Sequence, residues 1–208
     1  MLTCFSSPRD YWSFWSHFAG ALLSVVATIF LIAYHSDNPW SFLVFGLSLM
    51  ALYSCSSIYH YVREPSERVR RLRKLDHSMI YVLIAGTYTP ILVNGMDGGK
   101  SLIWLCAIWG AALIGIIVKV CWLNAPRWLY TSIYLIMGWA IVFQLGALKV
   151  PDDFTVWMII GGVLYSSGAI LYIIKRPNIF QTFGFHEIFH IFIILGSVSH
   201  FIAVSFYL

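Results

Sequence analysis

Charge is scarce in this sequence. Asp, Glu, Lys and Arg make up 11% of its 208 residues, and hydrophobic residues make up 60%. A soluble domain of this length has no use for so much apolar surface, so a soluble helical core is set aside. Paired cysteine is missing as well. Cys4, Cys55, Cys106 and Cys121 contain no C-x-x-C spacing, and three of them lie in or at the end of apolar runs. Neither a disulfide framework nor a thiolate metal site is expected from that pattern. The opening MLTCFSSPRDYWSFWSHF lacks a short apolar core followed by a small-residue cleavage site, so the first apolar run is expected to be retained. A net charge of +4 is too small to argue for a nucleic-acid partner. No low-complexity segment and no clear internal repeat is present.

What is present is long apolar sequence, with a mean hydropathy of +0.78. Its runs fall at roughly 16–35, 40–61, 75–94, 101–122, 127–148, 155–174 and 187–207. Each approaches the 20 or so residues needed to cross a bilayer as a helix. The breaks between them are HSDNP, REPSERVRRLRK, NGMDGGK, LNAPR, KVPDD and KRPNIFQTFGF. Each carries Pro, Gly, Asn or charge, which stop helices or cannot stay in lipid. The expected fold is an all-α integral membrane protein, one seven-transmembrane helix bundle over residues 1–208. Its 15 Gly, 9 Trp and 12 Tyr suit close helix contacts and interfacial belts.

Basic residues orient the bundle. With a cytoplasmic N-terminus, the inner segments hold Arg9, Arg63, Arg68, Arg70, Arg71, Arg73, Lys74, Lys119, Arg127, Lys175 and Arg176. That is eleven of the thirteen, with Lys100 and Lys149 outside. The inverse arrangement reverses the ratio, so the N-terminus is expected inside and the C-terminus outside. The basic loops are read as headgroup anchors rather than as a nucleic-acid patch.

Ionisable residues within spans are costly and usually functional. His60 ends the second run, Asp76 opens the third, and His186 and His190 open the seventh. All lie at the cytoplasmic level. His186 and His190 are i and i+4, on one helix face and about 6 Å apart along the axis. A third imidazole from His60 completes three protein ligands and leaves a fourth position for water, the pattern of catalytic zinc. Asp76 can then hold that water or orient a histidine. Ser56 lies one turn before His60 on the same face. Each residue has a plainer reading alone: His60 as an interfacial histidine, Asp76 and Glu187 as helix-start acids. Their shared depth favours the metal site. His17, which opens the first run, fits a headgroup contact as well. His35 falls at the other side, and His77 points about 100° away from Asp76. His200 is about 15 Å beyond His190 and is expected to hydrogen-bond a neighbouring helix. Gly86 and Pro90 in AGTYTP mark a close contact or a kink.

The segment HEIFH also matches H-E-x-x-H, the zinc-protease signature. Such a protease usually takes a third ligand from a later helix, and HEIFH lies in the last run. Glu187 is therefore read as a helix-start acid rather than a general base.

S-x-x-x-H (Ser56, His60), KLDHSMIYVLIAGTYTP, HEIFH and the trailing SVSHF together resemble the hemolysin III family, the bacterial branch of the progestin and adiponectin receptor superfamily. The resemblance runs from about His17 to Leu208. It implies zinc bound by His60, His186 and His190, with Asp76 beside the metal-bound water and Ser56 one turn away. It also implies a multi-pass protein of the bacterial inner membrane. The superfamily looks related to membrane ceramidases, which implies a zinc-dependent hydrolase of lipid amides or esters. A zinc-stabilised receptor or sensor, and a membrane-permeabilising protein, are the alternatives. No charged stripe runs through several spans, which counts against an ion pathway. Membrane lipid is the expected substrate or ligand, and no protein partner is inferred. One departure stands out. Relatives tend to carry E-x-x-N-x-x-x-H before the first histidine. Here RDYWSFWSH puts Ser13 at the Asn position and Arg9 and Asp10 near the Glu position, so the role of that pair is open.

Overall fold

A computed structural model describes residues 8–36 and 39–208. Cys4, and Asp37 and Asn38 of the HSDNP break, lie outside the described residues. Seven apolar helices follow one another, long enough to cross a membrane: α1 Tyr11–Tyr34, α2 Pro39–Tyr61, α3 Ser66–Gly95, α4 Gly98–Cys121, α5 Arg127–Trp139, α6 Asp152–Ile174 and α7 Phe185–Phe206. α5 continues as a 3₁₀ stretch, Ala140–Ala147, to complete its span. No strand occurs among the described residues beyond an isolated bridge between Phe180 and Phe183.

The order of burial places α3 at the centre. Of its most apolar stretch 67% is buried inside the protein, against 22% in α4 and 28% in α6. α3 packs on α2 and α4 and also reaches α5 and α7, while α1 closes the ring by touching both α2 and α7. Outward faces present large apolar side chains such as Ile103, Ile136 and Phe143, which gain only by burial in lipid. Small residues set the helix contacts. A Cβ on Gly46 would overlap the Thr28 side chain, and one on Gly86 would overlap Ser48, so α2 can approach both α1 and α3 closely. Gly86 thus marks a close contact, and Pro90 lies within α3 without ending it.

The break in α5 has a visible cause. The Tyr88 hydroxyl from α3 donates to Met137 O at 2.8 Å and accepts the Ile141 N–H at 2.7 Å. A side chain inserted into the i→i−4 ladder replaces helical bonds with its own, and the helix tightens there.

Alternation of the helices sorts the polar residues between two ends. At the basic end, Asp10 N–H donates to His60 O at 3.1 Å and Arg63 donates to Pro8 O at 3.1 Å, which pins the entry of α1 to the exit of α2. α3 starts at Ser66, so its first turns carry Arg68 to Lys74 before the apolar stretch begins. At the opposite end Lys149 N–H donates to Gly95 O at 2.7 Å, and Lys149 Nζ pairs with Asp97 at 2.6 Å.

Candidate metal centre

Two helices, α2 and α7, bring His60, His186 and His190 together, with one ligand atom from each lying within 4.8 Å of the others. His60 stands on the last turn of α2 and is 2% exposed. His186 and His190 occupy the first two turns of α7, stacked by their i, i+4 spacing. The group can hold a metal ion. Its spacing fits one: His60 Nε2 and His186 Nε2 face each other at 3.4 Å, which is long for a hydrogen bond. Two nitrogens on a tetrahedral zinc, each about 2.0–2.1 Å from it, sit about 3.3–3.4 Å apart.

The tautomer of His60 also fits. Its Nδ1 lies 2.8 Å from Asp10 Oδ2, so Nδ1 carries the proton and the Nε2 lone pair is left facing the group. Burial alone would raise the Asp10 pKa, but the hydrogen bond from His60 and the Arg9 guanidinium outweigh it and bring the carboxyl to about 2. Asp10 is therefore ionised at neutral pH. It belongs to the motif position left open by the sequence, and no spacing rule joins residues 10 and 60. Only the fold does.

Ser13, the other member of that pair, donates to Glu187 Oε1 at 2.9 Å. Glu187 Oε2 accepts the Gly184 N–H at 2.8 Å, closing a capping box on α7. Both carboxylate oxygens are thus engaged in holding the start of α7 against α1. Glu187 supports the histidine pair from behind and does not face it.

His17 is no surface residue. It is 3% exposed, and its ring stacks on His190 at 3.7 Å and 11°. Both of its nitrogens, and His190 Nδ1, are buried without a hydrogen-bond partner. Unpaired buried polar atoms cost about 1–3 kcal/mol each, so a bound ion, water or ligand would stabilise this cluster. His200, by contrast, is satisfied where it stands, with Nε2 3.3 Å from Met158 O across to α6.

Asp76 and Ser56 do not enter the three-histidine group. They line the same cavity as His186 and His190, with the Ser56 hydroxyl beside the Asp76 carboxylate. Asp76 Oδ2 lies 3.8 Å from His77 Nε2. The cavity, about 150 Å³, runs from this polar head between α3, α5, α6 and α7 to Leu145, Thr155 and His200. Its walls beyond the head are mostly aliphatic and aromatic, the lining a hydrocarbon chain requires.

Seven apolar helices and a three-histidine group, of which His60 and His190 are buried, define a multi-pass membrane protein with a candidate metal centre at one end. The chain belongs to the haemolysin-III related family, whose model matches residues 5–201. It is 36% identical over 200 residues to the hemolysin-3 homolog of Bacillus subtilis (strain 168), covering 92% of this chain and 91% of that protein. The similarity to hemolysin-3 of Bacillus cereus is 36% over 201 residues, with 92% and 88% covered. More distantly, the chain is 26% identical over 199 residues to the heptahelical transmembrane protein ADIPOR2 of Oryza sativa subsp. japonica, covering 82% and 83% of the two chains.

Proposed function

We propose that the protein is a zinc-dependent hydrolase of lipid amides or esters, held in a bacterial plasma membrane with the three-histidine group toward the cytoplasm. The observation that carries this reading is the junction of that group with the head of an apolar cavity that also presents a carboxylate, Asp76. His60, His186 and His190 would hold the zinc. Zinc in a three-histidine set supplies Lewis acidity, which polarises a carbonyl and makes water nucleophilic near neutral pH.

The chain's own groups do the rest. Asp10 keeps His60 in the tautomer and orientation that present Nε2. Asp76 accepts the proton of the attacking water as its oxygen bonds to the lipid carbonyl carbon. It returns that proton to the leaving amine or alcohol as the carbon–nitrogen or carbon–oxygen bond breaks. Ser56 orients the Asp76 carboxylate. The apolar walls hold the acyl chain and keep bulk water from the reacting carbonyl. The test is release of free fatty acid from ceramide-like and ester lipids by zinc-loaded protein in vesicles, with conductance recorded in parallel. No release from any lipid class, beside a change in conductance alone, would sink the enzyme reading.

A second reading has one observation in its favour. The chain is 25% identical over 217 residues to a Drosophila melanogaster protein named adiponectin receptor protein, covering 92% of this chain and 49% of that one. In a receptor or sensor the same cavity binds lipid without turnover, and the metal only braces α2 against α7. Lipid binding with no product release in the same vesicles distinguishes it.

A further inference from the structure

The polar head of the cavity has a side that the three histidines do not use. Behind the wall formed there by Tyr130, α3, α4 and α5 crowd cations that do not themselves line the cavity, together with one carboxylate that does. Lys119 is 1% exposed, and its Nζ has the Leu123 carbonyl at 3.2 Å and the Tyr130 ring at 3.6 Å. No ion pair among the described residues includes it. The Arg127 guanidinium lies over the rings of Tyr172 and Phe185, and its Nη1 is buried without an acceptor. Arg73 adds a third positive charge within reach of Lys119, and the carboxylate acting on that lysine is Asp76. A buried cation with no anion in direct contact is expensive, and headgroups outside the protein cannot touch a side chain this enclosed.

Two further atoms point to a ligand. His77 and Thr131 are 8% and 3% exposed, both line the cavity, and His77 Nδ1 and Thr131 Oγ1 are buried with no partner. We propose that His77, Thr131 and the Lys119 charge behind Tyr130 form a second subsite, which takes the carboxylate or phosphate of a single-chain lipid lying in the cavity. The anion is drawn by the positive charge behind Tyr130, and the two unpartnered atoms hydrogen-bond its oxygens. The preferred ligand is thus an acyl amide or ester whose amine or alcohol half is anionic. This inference rests on the lipid reading above, and it does not require turnover.

Equilibrium binding in a neutral detergent tests it, with N-palmitoylglycine, its uncharged methyl ester and inorganic phosphate as probes. The native chain binds the carboxylate form about tenfold tighter than the ester. Lys119→Gln abolishes that preference and leaves ester affinity within about twofold, which also shows that the variant is folded, while Lys119→Arg retains the preference. Thr131→Val weakens the carboxylate form about fivefold. Equal affinity for both lipids in the native chain overturns the subsite and leaves the lipid reading standing, as does a preference that survives Lys119→Gln with Thr131→Val. Binding of neither lipid overturns both. Displacement of N-palmitoylglycine by phosphate at similar concentration places the anion in solution, and that also overturns the proposal.

Discussion

The two ends of the bundle handle their polar groups in opposite ways. At the end that holds Asp97 and Lys149, polar groups find partners within the chain: Lys149 on Asp97, His35 on Ser205 O at 3.2 Å, Asn94 on Ser41 and Pro90 O. At the basic end, His17, His77, Arg127, Thr131 and His190 all carry buried atoms without partners. Of the seven such atoms among the described residues, six are there, and Ser205 Oγ is the exception. Unpartnered buried polar atoms thus concentrate at the basic end, where a bound ion or ligand would satisfy them. The contrast separates residues paired within the chain from residues that a ligand would pair.

Substitutions can break this contrast. The largest effect is expected from the histidine pair. A His186→Ala, His190→Ala double variant falls from about one zinc per chain to background by elemental analysis, whereas His200→Ala, deep in the same helix, keeps its metal. Full zinc in the double variant would remove the site. Next comes Asp76→Asn. It keeps zinc and loses about 10²-fold or more in fatty-acid release, since the carboxylate serves the proton and not the metal. A variant that lost zinc along with its activity would make Asp76 a ligand instead.

Asp10→Asn sharpens the comparison, because it alters the partner of a ligand rather than a ligand. Zinc affinity, measured by competition with a chelator, is expected to fall about 10- to 100-fold. Unchanged affinity would reduce the Asp10–His60 contact to a tether between α1 and α2. Mid-bundle, Tyr88→Phe leaves the Ile141 N–H and Met137 carbonyl short of a partner. It should cost about 1–3 kcal/mol in denaturation, with zinc retained.

The smallest effect belongs to the satisfied end. Lys149 holds the exposed Asp97 carboxyl below its ordinary pKa. A depressed carboxylate adds stability above its unfolded pKa and loses it as pH falls through the folded value. Asp97→Asn should therefore lower the melting temperature only slightly at neutral pH, since exposed pairs contribute little, and not at all once pH falls below the Asp97 pKa. A loss as large as that of Tyr88→Phe would show that this end, too, depends on charge.

The sequence carried part of this picture. Seven apolar runs separated by Pro, Gly and charge made the helix count legible, because lipid imposes a length on each run. The convergence of His60, His186 and His190 was legible as well. The i, i+4 spacing in HEIFH and the position of His60 at the end of its run place all three at one level. Contacts that depend on how helices face each other were not. Asp10 meets His60 across 50 residues and Ser13 meets Glu187 across 174, and neither pair has a periodicity to betray it. Tyr88 breaks α5 from another helix, so the sequence of α5 reads as one continuous span. His17 looked like a headgroup contact because its stacking partner lies on α7. The basic residues near Lys119 read as anchors by charge alone, since burial is not visible in composition.

The central claim is that one metal sits among His60, His186 and His190 at the head of the apolar cavity. Zinc K-edge X-ray absorption on the purified protein in detergent tests it most directly. The account predicts one zinc per chain in a four-coordinate shell of three imidazole nitrogens and one oxygen at about 2.0–2.1 Å, lost in His60→Ala. A sulfur-containing shell, or the same spectrum from His60→Ala, would contradict it.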